Sequence, residues 1–203
     1  KSEELGDKSG MAGLLINIGI IYKNEGDNEK ALDYYTRSIK ICDEIGDKHW
    51  MGRSLGNIGV IYSAKGDYGK SLDYQNRSLA IKKELGNMVG IGYSLNSIGI
   101  IYVNKGNYDK ALDYFNRSLT ICEKIGDKSG KGYSLRGIGI VFSVKKLYDK
   151  ALNYYNHSLE IYKELGDKRG IGFSLKDIGV LYHRKGNYDI ALNYYTQSLK
   201  IRE

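Results

Sequence analysis

The stretch from Ser54 to Tyr62 returns forty residues later as Ser94 to Tyr102, then as Ser134 to Phe142 and Ser174 to Tyr182. The first copy, Leu14 to Tyr22, is the most divergent. A second block follows each one, for example Gly106 to Tyr114 and then Arg117, Ser118, Leu119 and Ile121. A fixed period of this length means that every copy folds alike and buries its apolar face against the next. The chain has 203 residues, 41% of them hydrophobic, which is enough for a continuous core. It has no proline, and its 26 glycines recur in register, as expected of many helices closed by glycine.

Each unit reads as two helices. Leu55, Ile58, Gly59 and Tyr62 fall at i, i+3, i+4 and i+7, one apolar stripe. Ala111, Leu112, Phe115, Ser118, Leu119 and Ile121 form the stripe of the second helix. Turns are expected near residues 25–28, 65–68, 105–108, 145–148 and 185–188, where a Gly-Asp or Gly-Asn pair supplies a left-handed-compatible step. Junctions are expected near 46–47, 86–87, 126–127 and 166–167, with Asp7, Asp47, Asn87, Asp127 and Asp167 as N-caps of the helices that follow. The fourth turn departs from the pattern. Lys146 stands where the others have Gly, and Leu147 where they have Asp or Asn, so strain is expected there.

These residues resemble the tetratricopeptide repeat. Its pattern is carried here by Leu95, Ile98-Gly99, Tyr102, Gly106, Tyr108, Ala111, Phe115 and Ser118, and it covers the whole chain. The period is 40 instead of the usual 34, and the helix-ending proline is missing. The longer unit is similar to the extended repeats of Pins/LGN-type adaptors and of bacterial sensor and signalling proteins. The resemblance implies an all-α, right-handed solenoid of five helix-turn-helix repeats, about 7–46, 47–86, 87–126, 127–166 and 167–203, forming a single domain over 1–203. Residues 1–7 match the helix tail at 41–47, so the chain reads as a piece of a longer protein that opens in the tail of a helix.

Small residues recur for packing. Gly19, Gly59, Gly99, Gly139 and Gly179 sit on the inner stripe, with Ala31, Ser71, Ala111, Ala151 and Ala191 and the serines at 38, 78, 118, 158 and 198 as the expected opposing surface. The in-register tyrosines read as packing aromatics with their hydroxyls at the edge. Gly126 to Gly132 is one residue short of a phosphate loop and has no strand before it. His49, His157 and His183 lie in different registers without metal-ligand partners at helical spacing. The chain therefore reads as a non-enzyme, with no catalytic residue, cofactor or metal site assigned.

The resemblance implies that the first helices line a concave channel. Ile20, Val60, Ile100, Ile140 and Val180 lie roughly 150° from the centre of the packing stripe at 100° per residue, and so are expected to face it. Asn57, Tyr93, Tyr133 and Phe173 flank this row, and Arg53, Arg136, Lys176 and Arg184 add positive charge. The exposure of Ile100 and Ile140 is not required by folding on this reading. The Lys/Asn/Arg clamp of chaperone-binding relatives is absent, since its registers hold Ile16, Ile20, Asn57, Tyr93 and Ser97.

The expected partner is a protein or peptide, acidic with apolar anchors. The alternative is self-association through open repeat ends. The net charge of +7 is spread over helix-end lysines in fixed registers, which disfavours nucleic acid. No membrane segment is present, and Cys42 and Cys122 read as buried thiols of a cytoplasmic protein.

Overall fold

A computed structural model describes residues 2–202, with side chains described over 7–201. Ten α-helices and no strand occur among the described residues. They are α1 (Ser2–Glu25), α2 (Asn28–Ile45), α3 (Lys48–Ala64), α4 (Tyr68–Glu84), α5 (Met88–Asn104), α6 (Tyr108–Ile125), α7 (Lys128–Val144), α8 (Tyr148–Leu165), α9 (Lys168–Arg184) and α10 (Tyr188–Arg202). Every expected turn and junction from residue 25 onward coincides with a break between helices.

Two compact units emerge, residues 1–101 and 102–203. In the first, α1 packs on α2, α3 on α4, and α2 on α3. In the second, α7 packs on α8, α9 on α10, and α6 and α8 each pack on the helix that follows. Each unit has its own core. Ile16, Ala31, Tyr35, Ile58 and Ile61 form one, and Ala151, Tyr155, Leu159, Leu175, Ile178 and Leu181 form the other.

Helix ends follow the local chemistry. Asp27, Asp67 and Asn107 accept the backbone N–H of Lys30, Lys70 and Lys110. Asp47, Asn87, Asp127 and Asp167 accept from Trp50, Gly90, Gly130 and Gly170. Asp7 is a correction. α1 runs unbroken from Ser2, so Asp7 is interior to a helix and caps nothing. The continuous ladder satisfies the backbone donors that a cap would otherwise serve. The side chains of the expected tail at residues 1–6 lie outside the described residues.

The fourth turn is strained as expected. Lys146 has φ 61°, and it is the one non-glycine residue with positive φ among the described residues. Leu147 occupies the N-cap of α8 without a side-chain cap bond. Lys146→Gly should remove about 1 kcal/mol of left-handed strain. Leu147→Asp should add about 1 kcal/mol of capping. Thermal melts should show the double variant about 4–8 °C more stable. A lower melting temperature would mean that Lys146 and Leu147 hold the turn through contacts that outweigh these local terms.

Gly19, Gly139 and Gly179 face the rings of Tyr35, Tyr155 and Tyr195, which were not expected there, while Gly59 faces Gln75 and its carbonyl accepts from the expected Ser71. A Cβ on Gly19 would lie 2.5 Å from Cε1 of Tyr35, and one on Gly139 2.6 Å from Cε1 of Tyr155. The alanine backbone takes second place, the Ala151 carbonyl lying 3.4 Å from that same Gly139 position. The buried serines act through their hydroxyls. Ser38, Ser78, Ser158 and Ser198 donate to the carbonyls of Ala12, Gly52, Gly132 and Gly172 at 2.7–3.0 Å. Each bond ties a second helix to the first helix of its own pair.

The tyrosines pair within repeats. Tyr22 stacks on Tyr34, Tyr62 on Tyr74, Tyr102 on Tyr114, Phe142 on Tyr154 and Tyr182 on Tyr194, with ring centroids 5.4–5.6 Å apart. Lys30, Lys70, Lys110 and Lys150 cover the first ring of four of these pairs. Their ammonium groups lie 5.1–5.8 Å from the ring centroids, and Lys30 and Lys70 stay exposed at the same time.

Candidate functional site

In residues 1–101, five of the expected groove residues meet at one cavity of about 230 Å³: Ile20 of α1, Arg53, Asn57 and Val60 of α3, and Tyr93 of α5. Val60 and Tyr93 are each 41% exposed. Arg53 lies against the ring of Trp50, 4.7 Å from its centroid. Ile100 is half-buried and does not line this cavity.

The rest of the wall was not expected. Gly56, Gln75, Lys82, Ser94 and Ser97 also line it. Gln75 is buried and donates through Nε2 to the Gly56 carbonyl at 2.9 Å. Lys82 Nζ donates to Ser94 Oγ at 2.8 Å. Burial, and secondarily the charge of Arg53, push the Lys82 ammonium down to about 8 from its ordinary 10.5. The sequence held a signal for this residue. The register of Cys42, Cys122 and Tyr162 carries Lys only at 82.

In residues 102–203 the expected residues behave differently. Ile140 is half-buried and packs against the core formed by Ala151, Tyr155 and Ile178. Packing therefore accounts for part of its burial, which was not expected, because the core it joins includes Leu175 and Ile178 of α9 as well as residues of its own helix pair. Val180 is half-buried as well. Arg136 is not a free cation. Its side chain is 14% exposed, and its Nε donates to Asp177 Oδ2 at 2.5 Å. Its guanidinium lies 5.1 Å from the Phe173 ring and 5.9 Å from the Tyr133 ring. Lys176 lies 4.0 Å from the same carboxylate, at Asp177 Oδ1. Arg184 donates to Ser143 Oγ at 3.1 Å. Of these three cations only Arg136 is closely paired with a carboxylate, whereas no Asp or Glu lines the cavity that holds Arg53 and Lys82.

The profile of the tetratricopeptide repeat matches residues 10–84, 91–164 and 135–203. The chain belongs to the tetratricopeptide-repeat family. Among curated proteins no sequence matches it. Solved structures resemble these tetratricopeptide repeats in fold at low identity. BtubC from P. vanneervenii is 15% identical, with 99% of this chain and 90% of that chain covered and a TM-score of 0.70. A Rap protein complexed with Competence and Sporulation Factor is 15% identical, with 94% and 53% covered and a TM-score of 0.83. NprR in complex with its cognate peptide NprX is 17% identical, with 92% and 54% covered and a TM-score of 0.76. The tetratricopeptide repeats described here span about half the length of the Rap and NprR chains.

No group of three or more His, Cys, Asp or Glu side chains that could hold a metal ion occurs among the described residues. No helix among them is long and apolar enough to cross a membrane. Cys42 and Cys122 are free, buried thiols, and burial pushes Cys42 up to about 11.

Proposed function

We propose that this chain is a non-catalytic protein-interaction scaffold that holds a peptide segment of a partner against the first helices of its repeats. The observation that carries this reading is the convergence of Ile20, Arg53, Asn57, Val60 and Tyr93 from three first helices on one open cavity. Val60 and Tyr93 are exposed beside Arg53, and Ile20, half-buried against the core of residues 1–101, extends their apolar surface; an exposed apolar surface beside a cation is the kind that takes a partner. The complexes of the Rap protein with Competence and Sporulation Factor and of NprR with its cognate peptide NprX support the same use of a similar fold. The ligand is a segment with apolar anchors for Ile20 and Val60 and an acidic group for Arg53. The unbonded thiols suit a reducing, cytoplasmic setting.

The test uses an array of short peptides combining Leu or Ile anchors with Glu, read by the fluorescence of Trp50, the single tryptophan, which lies beside Arg53. Val60→Asp should weaken the best binders at least about tenfold. Its helicity and melting temperature should hold, because Val60 is exposed. Unchanged affinity in that variant would remove the groove from consideration.

A second reading rests on exposed helix faces. Leu14 is 64% exposed on α1 and Leu192 66% exposed on α10. Two copies associating through such faces would give a sedimentation coefficient that rises with concentration, and Leu192→Glu would abolish the rise.

A further inference from the structure

Four departures from the repeat coincide in residues 1–101. The register of Ile16, Asn96, Arg136 and Lys176 has no side chain at Gly56. The register of Tyr35, Phe115, Tyr155 and Tyr195 carries Gln75. The register of Tyr93, Tyr133 and Phe173 carries Arg53, and that of Cys42, Cys122 and Tyr162 carries Lys82. All four line the same cavity. The glycine opens the space, and a Cβ there would come within 3.7 Å of the Lys82 ammonium. The other three departures replace apolar packing groups with polar ones.

Packing does not account for this set. A lysine placed among buried neighbours, without a carboxylate, is unfavourable for the fold. No Asp or Glu lines the cavity among the described residues. One of the three ammonium protons is used on Ser94, and two remain. Gln75 and Ser97 have their own bonds, to the Gly56 and Tyr93 carbonyls. The charged donors left for a ligand are therefore those of Lys82 and Arg53, with the Asn57 amide as a neutral donor in the same cavity. Ile20, Val60 and the ring of Tyr93 give the same cavity an apolar wall. A bare inorganic anion would leave that wall unused, and a purely apolar group would leave the cations unmatched.

We propose that this cavity is a subsite for a carboxylate carried on an apolar frame, held by Lys82 and Arg53. This deepens the peptide-scaffold reading and rests on it for the source of the ligand, either the α-carboxylate of a peptide or an acidic side chain next to an apolar one. Lys82 stands on the second helix of its repeat, so the subsite differs in construction from a clamp built on first helices. Binding couples to protonation. The ammonium is pushed down to about 8 by burial and by Arg53, and an adjacent carboxylate opposes both effects. The titratable side chains that face it are Arg53 from α3 and Tyr93 from α5, while α1 contributes Ile20 and α4 itself Gln75. Affinity is therefore expected to fall as pH rises through 8, while the ligand carboxylate stays ionised.

The experiment follows the Lys82 side chain by NMR in protein labelled with 13C-lysine, titrating pH at matched ionic strength. The probes are N-acetylleucine, N-acetylleucine amide, acetyl-Leu-Glu amide and inorganic phosphate. The Lys82 midpoint should rise by about one unit or more with a carboxylate probe and stay put with the amide. The responding probe, N-acetylleucine or acetyl-Leu-Glu amide, distinguishes terminal from side-chain recognition. Arg53→Gln should reduce the response, and Lys82→Met should abolish probe binding with helicity retained. The proposal is overturned if neither carboxylate moves the midpoint, if the amide moves it equally, or if phosphate moves it more than both. Small probes that bind where the peptide array finds nothing would support the subsite and sink the peptide reading. Peptides lost in Val60→Asp but indifferent to Lys82→Met would do the reverse.

Discussion

Gly139→Val is expected to destabilise the unit formed by residues 102–203 by about 3 kcal/mol, the upper end for methyl groups forced into a filled core. The first added carbon already lies 2.6 Å from Cε1 and 2.7 Å from Cδ1 of Tyr155. That ring is buried in the core with Ala151, Ile178 and Leu181, so it has no solvent side to swing into. The Ala151 carbonyl closes the other direction at 3.4 Å. A β-branched residue also gains little helix propensity over glycine, so nothing local offsets the clash. Denaturant unfolding should show the loss, with a melting temperature lower by about 6–12 °C. Gly10→Ala is the control. A Cβ on Gly10 meets nothing within 4 Å, and alanine should be neutral or stabilising there. Equal behaviour of the two variants would mean that α7 and α8 slide apart without penalty.

Lys82→Met should change how stability depends on pH. The folded-state value of Lys82 is about 8, below the unfolded 10.5. Between those values the unfolded chain binds more protons, so the native protein gains stability as pH rises from 8 to 10.5. The contribution of this group over that span is on the order of 3 kcal/mol. Methionine removes the half-buried charge and keeps most of the stem volume, while leaving Ser94 Oγ without the Lys82 donor. The variant should be more stable than the native chain at pH 7, by about 2 kcal/mol after the lost hydrogen bond is counted. The gain should shrink as pH approaches 10.5. Urea unfolding at neutral and alkaline pH, taken as a difference between the two proteins, cancels the other titrating groups. A difference that is flat with pH would show that Lys82 is not desolvated in the folded chain.

The helix boundaries were legible because they depend on neighbours in sequence. A left-handed glycine and a side-chain cap act over three or four residues, so Gly126 with Asp127 could be read without knowing the fold. The strain at Lys146 was visible for the same reason: the repeats supply their own control. The stripe that packs was also legible, since Leu55, Ile58 and Gly59 are buried as their spacing requires.

What faces that stripe was decided only in three dimensions. The wheel placed Ile140 at an open channel, but a helical wheel has no neighbours in it, and the core of residues 102–203 reaches round to that side chain. Arg136 looked like a free cation until Asp177, forty-one positions away, came to 2.5 Å from it. Lys82 stands out in the sequence only as the one lysine of its register. Its character comes from α3 and α5 bringing Arg53 and Ser94 to it while Gly56 leaves room. The repeat period determined which residues are equivalent. Whether an equivalent residue is buried, paired or left open depends on side chains from other helices, and the tertiary structure alone brings those together.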